Sequence, residues 1–255
     1  MSVTDVLSIQ LYTLRDMPSH AAILDAVAEA GYRHVEMIGS HLENAGDVRD
    51  ELDARGLKGS SSHVGMSQLR EQPEAMIEAC KVLGIDTLFM PAVPPEQRHM
   101  DAGGWRELGA ELGRMAEVFA EAGIKLGYHN HHWELEKKDG GRDALDLLFE
   151  ASGSSPLVWQ ADIAWLVRGG ADPKALLQRH GARVAAAHVK DIAPEGENLD
   201  QDGWADVGSG TLDWVELWKA CRAAGARWMV VEHDKPLDPA ACARNSFNYI
   251  TSMGL

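Results

Sequence analysis

Leu108-Gly-Ala-Glu-Leu-Gly-Arg-Met-Ala-Glu-Val-Phe-Ala120 and, just beyond Gly123, Ile124-Lys-Leu-Gly-Tyr-His129 form the unit whose reading decides the fold. The first segment carries apolar residues at helical spacing. The second is a short apolar run of strand length. The glycine between them suits a helix end, where the chain often turns left-handed and glycine does so without strain. Helix, glycine and strand in such close succession predict a helix that packs against the strand it feeds.

The unit repeats in both directions. Strand-length runs precede it at Leu7-Ser-Ile-Gln-Leu11, Arg33-His-Val-Glu-Met-Ile38, Leu57-Lys-Gly-Ser-Ser-Ser62 and Ile85-Asp-Thr-Leu-Phe-Met90. Others follow at Leu157-Val-Trp-Gln-Ala161, Val184-Ala-Ala-Ala-His-Val189 and Trp228-Met-Val-Val-Glu232. The run 57–62 is weakly apolar and is assigned from its place in the series. Helical patterns lie between the runs, at 21–30 and near 48–54, 75–83, 144–150, 175–178, 214–223 and 240–250. Gly31, Gly56, Gly84, Gly181 and Gly225 again stand just before strands. Alternating strands and helices imply parallel strands with helical crossovers. Eight such units in 255 residues have the size of a (β/α)8 TIM barrel. A doubly wound open sheet is the alternative, but it usually has fewer strands, and no G-x-G-x-x-G follows the first run. No linker or compositional break interrupts the chain, so residues 1–255 are expected to form a single (β/α)8 barrel domain.

Composition narrows the function. Hydrophobic residues make up 45% and charged residues 25%, which argues against disorder. No stretch approaches about 20 uninterrupted apolar residues, so no membrane span is expected. The N-terminus lacks the basic start and apolar run of a signal peptide. The net charge of −15 would repel a phosphate backbone or an anionic membrane, so neither is an expected partner. Cys80, Cys221 and Cys242 are widely spaced and odd in number, as in a reduced, cytoplasmic protein. A homodimer is the default oligomer.

In a TIM barrel, chemistry sits at the C-terminal strand ends. There the sequence places Glu36, His63, Tyr128-His-Asn-His-His132 with Glu134, Asp162, His188-Val-Lys-Asp191 and Glu232-His233. Each has an ordinary explanation on its own: Asp162 can cap a turn, and Glu232 can pair with Lys190 or Lys235. Three consecutive strands ending in Asp, His and Glu are hard to explain as independent caps. Carboxylates and imidazoles converging at one mouth suggest a single divalent cation, with Mn²⁺, Co²⁺, Zn²⁺ and Mg²⁺ all open. Alternation turns His132 and His233 away from the axis. Trp133, Trp165 and Trp204 lie near strand ends. An aromatic there can stack on a sugar face, although packing is the commoner use of so large a side chain.

The segments Gly31-Tyr-Arg-His-Val-Glu36, Tyr128-His-Asn-His131, Asp162, His188-Val-Lys-Asp191, Val207-Gly-Ser-Gly-Thr-Leu-Asp213 and Val231-Glu232 together resemble the sugar phosphate isomerase/epimerase family of xylose isomerase-like barrels. The His-rich text at the fifth strand resembles its inosose-dehydratase-like branch most. The resemblance implies one divalent metal held by Glu, Asp, His and Glu from strands 5 to 8. Asp162, His188 and Glu232 match the last three. The strand-5 Glu is replaced by His129, so the first ligand is either His129 or Glu134; balancing the divalent charge favours Glu134. Val207-Gly-Ser-Gly210 reads as a turn on its own, and the resemblance equally makes it a substrate-side loop.

The expected activity is that of a metal-dependent isomerase or epimerase. It would remove a proton next to the carbonyl of a small keto-sugar or polyol and pass through an enediolate. A dehydratase or lyase at the same site is the alternative, and a sugar-binding barrel without turnover is the alternative of a different class. His129, His131, Lys190 and Glu232 are the candidate catalytic residues. Glu36, His63 and Trp165 are expected to contact substrate. An abasic-site endonuclease, which shares the superfamily, is disfavoured by the negative charge.

Overall fold

The computed structural model of the chain describes residues 2–255. Seven strands are laid down first: β1 Leu7–Gln10, β2 His34–Ile38, β3 Lys58–His63, β4 Thr87–Met90, β5 Lys125–His129, β6 Val158–Asp162 and β7 Val184–Val189. A small antiparallel hairpin comes next, β8 Asp191–Ile192 paired with β9 Trp204–Ala205. Then β10 Trp228–Val231 closes the barrel between β7 and β1. All eight barrel strands are parallel to their neighbours, and each lies within two residues of the run expected for it. The hairpin was not legible in the sequence.

β3 is weak in sequence because its buried residues are serines. Their hydroxyls are satisfied inside the barrel. Ser60 bonds Ser8 at 2.8 Å and donates to the Val35 carbonyl at 3.1 Å, while Ser61 donates to Glu36 at 2.6 Å. A strand can therefore be buried without being apolar, provided each polar group is paired.

Helices surround the barrel, several with Ser or Asp at their start. Ser19 caps His20–Ala30, Asp101 caps Ala102–Glu121 and Asp238 caps Pro239–Ser252, each by accepting a backbone N–H. Gly31, Gly56, Gly84, Gly123 and Gly225 take the expected left-handed conformation. Gly181 does not; at φ −52° it continues helically into the short turn Gly181–Arg183. Between helices and barrel lies the core, where Trp105, Trp159, Trp214 and Phe119 are fully buried.

One glycine is required by packing. Helix Ala102–Glu121 crosses Ala144–Ala151 at Gly109, where a Cβ would lie 2.1 Å from the Leu148 carbonyl oxygen. Glycine inside a helix costs roughly 1 kcal/mol relative to alanine. Here that cost is offset by an approach no side chain permits. No helix among the described residues is long and apolar enough to cross a membrane.

Next to the mouth, the segment 207–212 is tied to one side chain. Asp191 is fully buried. Its carboxylate accepts from the backbone N–H groups of Ile192 (2.9 Å), Gly208 (2.9 Å), Gly210 (3.3 Å) and Leu212 (3.1 Å).

Candidate metal centre and active site

β6 and β7 stand in register with Asp162 opposite His188, so the last residue of one strand meets the inward imidazole of the next. Asp162 divides its two oxygens. Oδ1 accepts from Trp165 N at 2.9 Å and starts the helix Ile163–Arg168. Oδ2 is buried and makes no hydrogen bond. Lys190 Nζ lies 3.2 Å from it, an ion-pair contact without hydrogen-bond alignment. Oδ1 thus fills the ordinary capping role, and Oδ2 is left available to another partner.

Around that orphaned oxygen gather His129 Nε2 at 4.0 Å and His188 Nδ1 at 3.7 Å; the same Nδ1 lies 3.1 Å from Glu232 Oε2. His129, Asp162, His188 and Glu232 each offer one donor atom, all within 4.8 Å of one another. Atoms bonded to one ion at about 2.0–2.2 Å lie at most about 4.4 Å apart, so small side-chain adjustments satisfy that limit. A buried carboxylate oxygen without a hydrogen bond, facing two imidazoles and a second carboxylate, fits a divalent cation.

Glu134 does not join the group. Its buried carboxylate accepts from Tyr128 Oη at 2.6 Å and from His131 N at 2.9 Å. Both oxygens are thus committed, and the donor facing Asp162 from the fifth strand is His129. Burial pushes Glu134 up to about 7, against those hydrogen bonds.

Beneath the four donors lies a continuous polar layer. Gln160 Oε1 is 2.9 Å from His129 Nδ1 and 2.7 Å from His63 Nε2. Gln160 Nε2 donates to Glu36 Oε2 at 2.6 Å, and Glu36 Oε1 faces His188 Nε2 at 2.7 Å. Gln10 and Ser61 donate to the same carboxylate at 2.8 and 2.6 Å. Glu36 is thus fully buried, with its acceptor capacity filled. The expected substrate contact at Glu36 is corrected to a place in the barrel interior.

Above the layer opens a cavity of about 460 Å³, lined among others by Tyr12, His63, His129, His131, Glu232 and Asp234. His63 is where the sequence placed it. Trp165 does not line the cavity; it packs on His132 (5.0 Å between ring centroids) and Trp204 (4.7 Å). The aromatic at the wall is Tyr12, half-exposed, with the Arg15 guanidinium 4.0 Å from its ring centre. None of residues 207–213 lines the cavity. His131 does, its ring stacked 4.2 Å from Trp133 and its buried Nδ1 without a partner.

Lys190 is completely buried and sits behind this wall, 2.7 Å from Glu232, 2.9 Å from Asp234 and 3.2 Å from Asp162. Burial disfavours its charge, but the three carboxylates more than reverse that, and it stays an ammonium. Burial likewise opposes the charge on Glu232, yet Lys190 and His188 hold it well below the usual carboxylate range. His188, which burial would lower, is raised to about 10 by Glu232 and Glu36. Burial leads in lowering His129 and His131 well below the usual imidazole value, so both are neutral at pH 7.

Gln160, Asp234 and Tyr12 were missed in the sequence. The first two carried a signal: each stands two residues from a candidate ligand, Gln160 before Asp162 and Asp234 after Glu232. Alternation places such residues on the same face.

A family model described as "Xylose isomerase-like TIM barrel" matches residues 24–253. Among curated proteins, inosose dehydratase of Geobacillus kaustophilus is 24% identical over 261 residues, covering 89% of this chain and 83% of its own. Among solved structures, a sugar phosphate isomerase/epimerase from Parabacteroides distasonis superposes with a TM-score of 0.77 at 21% identity, covering 96% of this chain and 93% of its own. The IOLI protein, solved with a bound zinc atom, superposes at 0.75 with 15% identity, covering 97% of each chain. With its closed eight-stranded barrel and a family match over nearly its whole length, the chain belongs to the xylose isomerase-like TIM barrel family.

Proposed function

We propose that the chain is a divalent-metal-dependent dehydratase of a small keto-polyol or keto-sugar, a cyclic inosose being the first substrate to try. The observation that carries the reading is the set His129, Asp162, His188 and Glu232, closing on the unpartnered Asp162 Oδ2 at the wall of a cavity large enough for a monosaccharide. The relatives named inosose dehydratase support the substrate class and the outcome. A bound divalent ion would supply Lewis acidity toward the carbonyl oxygen, worth several kcal/mol to a developing negative charge.

The residues divide the remaining work. His131 is neutral and faces the cavity, so it can take the proton from the carbon next to the carbonyl. The same imidazole can return that proton to the departing β-hydroxyl, which leaves as water. One group thus balances the elimination. Lys190 keeps Glu232 ionised and fixes Asp162, Glu232 and Asp234 relative to one another. Tyr12 offers an aromatic face at the rim.

Isomerisation or epimerisation is the second reading. It is favoured by the position of Glu232 and Asp234 on the wall supplied by β10, apart from His131 after β5, because a second acid–base group there could deliver a proton from another side. The test is incubation of metal-loaded protein with inososes and ketoses in deuterated water, followed by proton NMR. Loss of water supports dehydration. Deuterium incorporation with retention of all hydroxyls moves the assignment to isomerase or epimerase. No exchange with any candidate rejects both.

A further inference from the structure

We propose that Glu36 and Gln160 form a buried clasp that presents His129 and His188 as metal donors, making this a site for a borderline transition ion such as Zn²⁺, Co²⁺ or Fe²⁺ in preference to Mg²⁺. The inference rests on the metal-dependent reading above and names the ion class for it.

The hydrogen-bond network has one consistent orientation. Glu36 is surrounded by donors, and an ionised carboxylate only accepts. Gln160 must therefore turn its amide nitrogen to Glu36, at 2.6 Å. Its carbonyl oxygen is then the atom facing His129 Nδ1, at 2.9 Å, and a carbonyl has no proton to give. His129 must carry its proton on Nδ1, which leaves the Nε2 lone pair toward Asp162 Oδ2. The other oxygen of Glu36 takes the Nε2 proton of His188, at 2.7 Å, and directs His188 Nδ1 toward Asp162 and Glu232. A single Glu–Gln unit thus fixes the ring of both imidazoles and the tautomer of His129, and at His188 it leaves Nδ1 as the nitrogen that gives up its proton when an ion binds. Every member is buried, so water does not compete for these bonds. Partners of this kind raise ligand basicity and set ring orientation.

The donor set that results is two nitrogens and two carboxylates. Mg²⁺ is a hard ion that takes oxygen ligands and keeps its waters, whereas imidazole suits Zn²⁺, Co²⁺ and Fe²⁺. A site that devotes half its protein ligands to imidazole, and a buried layer to holding them, is built for the second group.

The test uses the full-length protein stripped with a chelator, with Co²⁺ and Mg²⁺ themselves as probes in equilibrium dialysis and calorimetry. Most sites of this type favour Co²⁺ somewhat, so the decisive quantity is the change in the Co²⁺:Mg²⁺ affinity ratio. In His129→Glu that ratio should fall by about tenfold or more, and the visible Co²⁺ spectrum should shift because a ligand has changed. In Gln160→Met and Glu36→Gln, Co²⁺ affinity should fall by about 10–100-fold. Unfolding temperatures of the stripped proteins identify the variant that folds like the parent, and that one is scored. An unchanged ratio and spectrum in His129→Glu overturns the proposal. So does parental Co²⁺ affinity in a well-folded Gln160 or Glu36 variant. Asp162→Asn separates the two levels: Co²⁺ bound there at parental affinity overturns the metal site and this inference with it. Loss in Asp162→Asn with no change in His129→Glu overturns the inference alone.

Discussion

Replacing Asp162 by Asn and, separately, by Ala separates the two tasks of its carboxylate. Oδ1 holds the first turn of Ile163–Arg168 through a 2.9 Å bond from Trp165 N. Asn caps a helix about as well as Asp, whereas Ala at such a position costs roughly 0.5–2 kcal/mol. Without added metal, Asp162→Asn should therefore lie within about 1 kcal/mol of the parent. Lys190 loses one carboxylate at 3.2 Å but keeps Glu232 at 2.7 Å and Asp234 at 2.9 Å, so no buried charge is stranded. Asp162→Ala should be lower than Asp162→Asn by about 1 kcal/mol, the cap alone. With Co²⁺ at about 100 times its Kd, the parent gains about 2.7 kcal/mol. For a chain of this size that raises the unfolding midpoint by roughly 5–10 °C. Neither variant should show that rise. The assay is calorimetric unfolding of chelator-treated protein with and without Co²⁺. An Asn variant whose midpoint climbs as far as the parent's refutes ligation through Oδ2. An Ala variant as stable as the Asn variant refutes the cap.

Three further outcomes are expected. Gly109→Ala should destabilise by about 1–3 kcal/mol in urea titration, because its Cβ would meet the Leu148 carbonyl at 2.1 Å and backbone does not rotate aside; parental stability would mean the two helices can part freely. Glu134 is raised from 4.5 to about 7, so its contribution to stability is complete below about pH 4.5 and is lost as the pH rises through 7. Glu134→Gln removes that titration, and the stability difference between parent and variant should change between about pH 5 and about pH 8, moving in the variant's favour; a constant difference refutes it. Cys80 and Cys221 are buried and their thiols are pushed up to about 12, with Cys242 raised as well. All three should resist a thiol reagent in the native protein and react together on unfolding; rapid labelling of native protein would contradict this.

The barrel was legible because its periodicity is carried by many residues at once. Strand and helix alternate eight times, six of the strands just after a glycine, and the error at Gly181 changes one turn without touching the pattern. The convergence of Asp162, His188 and Glu232 was legible for a related reason: strand ends in a barrel converge, so polar residues at consecutive ends become neighbours. The features that escaped depend on side-chain direction. Glu134 lies five residues beyond His129, and nothing in a linear reading shows that Tyr128 and the His131 amide have already taken its two oxygens. Glu36 ends up below the mouth because it sits in the middle of β2, two residues before the strand ends, and Trp165 ends up beside it because it belongs to the helix Ile163–Arg168 that follows β6. The hairpin β8–β9 was invisible because two residues a side are too few to make a pattern.

The four amides drawn to Asp191 bear on how such an enzyme could change its substrate over time. A loop held at Gly208, Gly210 and Leu212 by one carboxylate tolerates neither insertion nor drift, since any added residue would strand a charge in the interior. At Gly210 even a methyl group would come within 2.2 Å of that carboxylate. New specificities are therefore expected to arise elsewhere on the rim, where Pro91 and Ala92, just after β4, border the cavity directly. The barrel keeps one bank fixed and leaves another free to be rewritten.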